Sequence, residues 1–427
     1  MTLRQISGPL FVVLGLLASG PAFGEGAMRA LPANAALSPQ RLERITDYFN
    51  AEVVNEKISG AVVLVQRHGK PVYLRSFGEI DTVTGEPMTP QAIFRIHSMT
   101  KPVTSLAAMM LVDDGKLKLD DPVSRYIPSF ATVKVGVETK AENGYAVLKL
   151  VPVDRPITIE DLLRHSSGIT YGFYGEGLVR KAFGNADLFA DGLDNAAVAE
   201  KIARLPLAEQ PGTLWNYGHS TDILGRVIEV VSGESLYEFE KKRLFIPLGM
   251  TDTSYHVADP AQHHRVVEPL PKDNVFRTGS ARNPRVFTKW ESGGGGLLST
   301  VGDFSRFAQM VLNGGMLDGR RYLKPDTFAA MTSNRSAPVT GVKRGAYYFP
   351  GDGFGFGLGF GVRTEPGNAT PPQPGSLGEL KWDGAGGTYF WIDRAQDMFV
   401  ILMIQSPSER GRIQPALKAL VYDAFER

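Results

Sequence analysis

The sequence predicts a mixed α/β (α+β) protein, with one antiparallel sheet built from both ends of the chain and flanked by helices. Strand-like segments occur early, at 61–67 and 71–77, where His68-Gly69 forms a tight turn between them. From residue 98 to about 249 the apolar periodicity is mostly helical. Strands then return after residue 350. This order favours a single sheet with a helical region inserted between its two halves.

The individual elements follow from local signals. Ser38 can cap a helix over residues 39–54. Residues 399–404 are apolar without interruption, which fits a central strand buried on both faces. The expected division is an α/β domain of residues 25–97 and 290–427 with a mainly helical region of residues 98–289. The late strands are expected at 356–362, 378–384, 388–392 and 398–405, and a final helix at 415–425.

Charge and cysteine content narrow the function classes. The 427 residues include 46 basic and 45 acidic side chains, a formal charge of +1. This balance provides no field for collecting nucleic acid, so we expect a small-molecule substrate in a shaped pocket. The absence of cysteine excludes disulfides, thiolate-bound zinc and a cysteine nucleophile.

Residues 1–24 are typical of a secretory signal peptide. Arg4 supplies a positive charge, residues 9–17 are almost wholly apolar, and Ala22-Phe23-Gly24 offers small residues for cleavage. The apolar segment is too short to span a bilayer, and a buried N-terminal helix is the alternative. We expect cleavage after Gly24, export to a bacterial periplasm or the medium, and no stable membrane anchor. The oligomeric state is not predicted.

Ser98-Met99-Thr100-Lys101 is the first candidate catalytic element. A spacing of three on a helix places the hydroxyl and the ammonium on one face, one turn apart. The helix N-terminus offers free N–H groups for an oxyanion, and burial there disfavours the charged form of Lys101, as a base at neutral pH requires. The pattern alone is common, and a capping serine followed by a surface lysine is the alternative.

Two further elements supply complementary groups. Tyr217, in Trp215-Asn216-Tyr217-Gly218-His219-Ser220, precedes an apolar helix, and its phenol could move the serine proton. A structural tyrosine is the alternative. Residues 381–387 form a late strand rich in small residues, which allow close approach of a substrate. There the backbone N–H of Ala385 could join that of Ser98 in an oxyanion hole, or the segment is simply a glycine-rich hairpin.

Together the three elements resemble the serine β-lactamase and penicillin-recognising superfamily in its class C-like branch, and more closely the family VIII carboxylesterases. The likeness covers about residues 58–404, with supporting segments at 115–123, 162–168 and 293–304. The resemblance implies a β-lactamase/transpeptidase-like fold with the site between the sheet domain and an all-helical region. It also implies Ser98 as nucleophile, Lys101 as its activating partner and Tyr217 in proton transfer, with no metal or organic cofactor. Which of Lys101 and Tyr217 takes the first proton stays open.

Two departures from the class C pattern bear on the substrate. Trp382-Asp383-Gly384 stands where class C β-lactamases have Lys-Thr-Gly, so a cation that helps bind the β-lactam carboxylate is replaced by an apolar wall. The esterase branch typically has Trp-Gly-Gly there, so Asp383 deviates even from that. His219 stands where β-lactamases place an asparagine that contacts the substrate. We therefore expect these four residues to bind a neutral ester substrate.

The predicted function is a serine carboxylesterase that hydrolyses short-chain acyl esters through an acyl-enzyme on Ser98, with side activity on β-lactams such as cephalosporins. A true class C-like β-lactamase, a D-amino-acid peptidase and an acyltransferase are the enzymatic alternatives. A non-catalytic penicillin-sensing domain is the alternative from another class. The chain has no Gly-x-Ser-x-Gly motif, and the pair His263-His264 lies in a polar loop where we expect no metal.

Overall fold

A computed structural model describes residues 35–273, 283–337 and 339–426, and the predicted signal peptide lies outside these ranges. Within them the α-helices are α1 (Pro39–Val54), α2 (Thr100–Asp113), α3 (Ile159–Leu163), α4 (Leu178–Gly184), α5 (Asn195–Ala203), α6 (Ser220–Ser232), α7 (Leu236–Glu240), α8 (Ile246–Leu248), α9 (Val301–Leu312), α10 (Pro325–Thr332) and α11 (Arg410–Asp423). The strands there are β1 (Gly60–Arg67), β2 (Lys70–Asp81), β3 (Glu86–Pro87), β4 (Phe94–Arg95), β5 (Lys134–Lys140), β6 (Ala146–Pro152), β7 (Leu214–Trp215), β8 (Leu298–Ser299), β9 (Met316–Leu317), β10 (Arg320–Arg321), β11 (Lys343–Arg344), β12 (Phe354–Phe356), β13 (Gly361–Arg363), β14 (Leu380–Asp383), β15 (Tyr389–Asp393) and β16 (Met398–Ile404).

The main sheet has eight strands in the order β12-β13-β14-β15-β16-β1-β2-β3 within the described ranges. Its neighbouring strands all run antiparallel. β1 pairs with β16, so that Ala61 lies opposite Ile404 and Arg67 opposite Met398. Strands from both ends of the chain therefore meet at the centre of one sheet, as the sequence predicts.

The central strand β16 is buried along its whole length, as its uninterrupted apolar sequence predicts. Because successive side chains of a strand point to opposite faces, β16 contributes to two cores. Val400 and Leu402 pack with the apolar faces of α1 and α11. Phe399 and Ile401 pack on the other side with α2 and the helical region. The sheet is thus a middle layer between the two terminal helices and the inserted helices.

Helix α2 is the element that carries the candidate site. All residues from Thr100 to Leu111 are buried, so α2 is packed on all sides like a core helix. A side chain attached to its first turn is therefore held on a rigid support. No helix in the described ranges combines the length and apolar character needed to cross a membrane.

The inserted region is mostly helical, but it contains a hairpin that the sequence analysis did not predict. β5 pairs with β6 from Lys134 opposite Pro152 to Lys140 opposite Ala146. Most side chains of both strands are exposed. An exposed hairpin lacks the alternation of buried and exposed positions that reveals a strand in a sequence.

Two predicted boundaries are wrong. Residues 356–362, expected to be one strand, join the end of β12 to the start of β13, and Phe356 lies opposite Gly361. Gly359 turns the chain with a φ of 103°, which only glycine adopts easily. The last helix starts at Arg410 rather than at Pro415, which lies inside it. Pro415 is the sixth residue of this helix and has no N–H to donate to the carbonyl of Gly411, so one backbone hydrogen bond is missing there.

Candidate active site

Ser98 lies in the 3₁₀ turn His97–Met99, which leads directly into α2. The preceding residue, His97, has a φ of 45°. This left-handed conformation is costly for a residue with a side chain, and such strain is concentrated at functional sites. The side chains of Met99 and Thr100 are buried, whereas Ser98 is partly exposed. The turn therefore presents the Ser98 hydroxyl at the boundary of the core, where a substrate can reach it.

Lys101 is buried next to this hydroxyl, with only 1% of its surface exposed. Its Nζ donates hydrogen bonds to Ser98 Oγ at 3.2 Å, to the Tyr171 hydroxyl at 3.2 Å and to the Gly294 carbonyl at 2.6 Å. Burial lowers the pKa of Lys101 to about 7, against the opposing charges of Asp222 and Asp383. Near neutral pH a large fraction of the amine is therefore uncharged and able to accept a proton.

The Tyr217 ring also packs against the amine of Lys101. The Nζ of Lys101 is 4.5 Å from the centre of the Tyr217 ring. Burial, followed by the influence of Tyr174, raises the pKa of Tyr217 well above its usual value, and hydrogen bonding with Ser98 only partly opposes this. The phenol is therefore protonated near neutral pH, which suits a group that passes a proton on rather than one that removes it first.

The segment before α6 places Tyr217 by close contact with the helical region. A Cβ on Gly218 would lie 2.2 Å from the carbonyl oxygen of Ile169. The backbone N–H of Asn216 also donates to the backbone carbonyl of His165 at 2.8 Å. Glycine at position 218 is thus required for the backbone to approach this closely, and the approach fixes the position of the phenol.

His219 and Asp222 form a buried pair beside these residues. His219 Nδ1 lies 2.8 Å from Asp222 Oδ2, and both side chains are at most 3% exposed. The other carboxylate oxygen accepts from Ser292 Oγ at 2.6 Å and from the Gly294 amide at 3.1 Å. Burial alone would raise the pKa of Asp222, but the hydrogen bonds from His219 and Ser292 lower it below its usual value. The carboxylate is therefore ionised.

These side chains surround a cavity of about 140 Å³. Its lining includes Ser98, Tyr217, His219, Asp222 and Ala385. One wall is aromatic, formed by Tyr171, Phe173, Tyr174, Phe189 and Trp290. Apolar walls with a few convergent polar groups are characteristic of small-molecule sites.

Ala385, the second predicted oxyanion residue, lies in the turn between β14 and β15. It lines the same cavity as Ser98. The turn is closed by a hydrogen bond from the Gly384 amide to the Thr388 carbonyl at 2.8 Å, and a Cβ on Gly384 would lie 2.4 Å from the Ile96 carbonyl oxygen. This close approach brings the Ala385 backbone to the turn that carries Ser98.

Three of the four predicted substrate contacts lie beside the cavity and are not part of its lining. Trp382 is 4% exposed and packs with its ring centre 5.6 Å from that of Tyr217 and 5.2 Å from that of Phe356. Asp383 is near Gln414 of α11, at 3.5 Å. Gly384 serves the close backbone approach described above. His219 is the one predicted contact that lines the cavity.

The structure adds two residues to the site that the sequence analysis did not assign to it. Tyr171 contacts Lys101 Nζ through its hydroxyl. Asp222 contacts the His219 imidazole. In the sequence this pair corresponds to a His-x-x-Asp spacing at the start of α6, which could have indicated the contact. The contact with Tyr171 joins residues 70 positions apart, so no local pattern marks it.

The remaining histidine pair lies away from this site. His263 contacts the Val257 carbonyl and His264 the Ala261 carbonyl, both within their own loop. No cluster of three or more histidine, aspartate or glutamate side chains suited to a metal ion occurs among the residues that the structure describes.

Comparison with known proteins identifies the family. A sequence model of the beta-lactamase family matches residues 42–423. The chain belongs to the beta-lactamase family. The predicted β-lactamase/transpeptidase-like fold and the assignment as a serine hydrolase are thereby confirmed.

Relatives within the beta-lactamase family include proteins named as esterases. Protein Rv1367c of Mycobacterium tuberculosis is 37% identical over 82% of this chain and 86% of its own length. Esterase EstB of Burkholderia gladioli is 30% identical over 92% of this chain and 97% of its own. The structure of EstCE1, a hydrolase with promiscuous acyltransferase activity, superposes with a TM-score of 0.72 at 25% identity, covering 90% of this chain and 99% of EstCE1. The resemblance to the esterase branch of the family is therefore confirmed.

Proposed function

We propose that the protein is a carboxylesterase that hydrolyses short-chain acyl esters through a covalent acyl-enzyme on Ser98. The observation that carries this proposal is the hydrogen bond between Lys101 Nζ and Ser98 Oγ, 3.2 Å long, at the wall of a small cavity. A buried amine with a pKa near 7 at this position is the arrangement that an activated serine needs.

Acylation begins with transfer of the Ser98 proton to the neutral amine of Lys101 as Oγ attacks the ester carbonyl. The backbone N–H groups of Ser98 and Ala385 bind the oxyanion, and one such donor is worth about 10²–10³ in rate. Tyr217 then gives its proton to the departing alkoxide and takes the proton held by Lys101, so that both groups return to their starting states. The lowered pKa of Lys101 and the raised pKa of Tyr217 support this order. The amine is the better proton acceptor, and the phenol of Tyr217 holds its proton.

Several features favour a neutral ester over a β-lactam. The late strand carries Trp382 where a β-lactam carboxylate would require a cation, and Trp382 is buried against Tyr217. The cavity of about 140 Å³ is small for a drug-sized ligand, and its aromatic wall suits an apolar acyl group. We therefore expect short acyl chains to react fastest and cephalosporins to be slower side substrates.

We further propose that residues 1–24 are removed on export and that the mature chain consists of an α/β domain (25–97 and 290–427) and a mainly helical region (98–289). The N-terminal charge, apolar segment and small residues support export. N-terminal sequencing of the secreted protein tests this. A chain that starts at Glu25 agrees with it, and an intact Met1 in the periplasm contradicts it.

The activity itself is tested by kcat/KM on p-nitrophenyl acetate, p-nitrophenyl decanoate and a chromogenic cephalosporin, with Ser98→Ala alongside. We expect acetate to exceed decanoate, both esters to exceed the cephalosporin, and Ser98→Ala to lose all three activities. A dominant cephalosporin activity would instead make the protein a β-lactamase. Activity that survives in Ser98→Ala would place the nucleophile elsewhere.

A further inference from the structure

The buried pair His219–Asp222 lines the cavity, and the acylation steps do not use it. Asp222 is ionised and can only accept hydrogen bonds. An imidazole that carries one proton therefore keeps it on Nδ1, at the 2.8 Å contact, and leaves the lone pair on Nε2. A carboxylate that orients an imidazole in this way is the arrangement that prepares a general base.

Packing keeps the His219 ring in place. Its centre is 4.4 Å from that of Tyr171, in an edge-to-face contact, and 6.0 Å from that of Phe189. Phe183 stacks nearly parallel to it, with an interplanar angle of 10°. Both His219 and Asp222 line the cavity, so the packing holds the imidazole at the cavity wall.

The position relative to Ser98 is set by a short chain of contacts. The Tyr171 ring that packs on His219 has its hydroxyl 3.2 Å from Lys101 Nζ, which is itself 3.2 Å from Ser98 Oγ. The Gly294 peptide also connects the two groups, because its N–H donates to Asp222 and its carbonyl accepts from Lys101. An acyl group on Ser98 would therefore occupy the cavity that His219 borders.

We propose that His219, oriented by Asp222, is the general base that activates the water which hydrolyses the acyl-enzyme, so that the two halves of the reaction use different bases. This inference rests on the proposed acyl-enzyme at Ser98. It assigns Ser98 activation to Lys101 and water activation to His219.

The water oxygen forms a bond to the acyl carbonyl carbon while one water proton moves to His219 Nε2, and the tetrahedral intermediate forms. The bond from this carbon to Ser98 Oγ then breaks, and Oγ takes a proton from Tyr217. The imidazolium returns its proton to Tyr217 through solvent in the cavity. The products are a carboxylic acid and the free enzyme, and no other reactant is consumed.

His219→Asn separates this role from a structural one. The asparagine Nδ2 can replace Nδ1 as the donor to Asp222, but no group replaces Nε2. We expect stopped-flow assays with p-nitrophenyl acetate to show a nitrophenol burst of about one equivalent, followed by turnover reduced about 10²-fold or more. Hydroxylamine, a nucleophile that needs little base assistance, should restore turnover of the accumulated acyl-enzyme.

His219→Gln, which instead lacks the Nδ1 donor position, provides a second variant if the asparagine variant folds poorly. His264→Gln, at an exposed histidine, is the control and should leave both phases unchanged. A fall of burst rate and turnover by the same factor in both His219 variants would overturn the proposal, as would unchanged turnover. If acid-quenched His219→Asn carries no acyl group on Ser98 while Ser98→Ala stays active, the proposed function itself is wrong.

Discussion

Replacement of Lys101 by methionine reveals the stability cost of keeping an amine buried as a base. Burial lowers the pKa of Lys101 from 10.5 to about 7. Between these pH values the unfolded chain holds a proton on this amine that the folded chain has released, so wild-type stability rises with pH across this range. Each pKa unit corresponds to about 1.4 kcal/mol. The wild type should therefore gain about 2.5 kcal/mol relative to Lys101→Met between pH 6 and pH 9.

Urea unfolding at pH 6, 7, 8 and 9 measures this difference for the two proteins. Methionine has nearly the same length and no charge, so it fills the site but loses the three hydrogen bonds of the amine. That loss shifts the stability of the variant by an amount that does not depend on pH. Lys70→Met, at an exposed position, corrects for the removal of one positive charge.

A constant difference in unfolding free energy between the two proteins from pH 6 to pH 9 would contradict the lowered pKa of Lys101. It would mean that the Lys101 amine is charged in the folded protein throughout this range and cannot take the proton of Ser98. Esterase activity of Lys101→Met at the wild-type level would contradict the same assignment from the kinetic side.

The kcat/KM for an ester should rise with pH through an apparent pKa near 7, because Lys101 must be neutral to accept the Ser98 proton. Asp222→Asn should move this rise to lower pH, because the negative charge of Asp222 raises the pKa of Lys101. Identical pH profiles for the wild type and the variant would contradict this. Tyr171→Phe removes a hydroxyl that lies 3.2 Å from the Lys101 amine. In steady-state assays it should lower kcat about tenfold with little change in KM, as expected for the loss of a hydrogen bond of ~1 kcal/mol or slightly more. Lys418→Ala leaves the buried Glu379 without its partner and should cost about 3–5 kcal/mol in urea unfolding, with kcat per folded molecule unchanged.

The sheet was predictable because its central strands carry strong local signals. The six apolar residues 399–404 predict a strand that is covered on both faces, and in the structure they form part of the fully buried strand β16. The β5–β6 hairpin was not predictable, since its exposed side chains follow no alternation. Pro415 is typical of a helix start in the sequence, but it lies inside α11, where proline is normally unfavourable, so the local signal gave the wrong boundary.

The candidate site was predictable only where residues are close in sequence or match a family pattern. Ser98 and Lys101 are three residues apart on one helix, and their contact follows from helix geometry. The contacts of Lys101 with Tyr171 and Gly294 join distant parts of the chain. Trp382 aligns with a substrate-binding position, yet its strand turns the ring into the packing around Tyr217. Such orientations depend on tertiary packing, which no short segment encodes.

In the proposed mechanism Ser98 carries the acyl group, and peptide mapping of an acid-quenched reaction can locate that group. Protein mixed with p-nitrophenyl acetate is quenched during turnover, digested and analysed by mass spectrometry. We predict an added acetyl group on the peptide that contains Ser98, and none on that peptide in Ser98→Ala. A stable acetyl group on another residue at turnover-competent rates, or the same labelling in both proteins, would contradict the account.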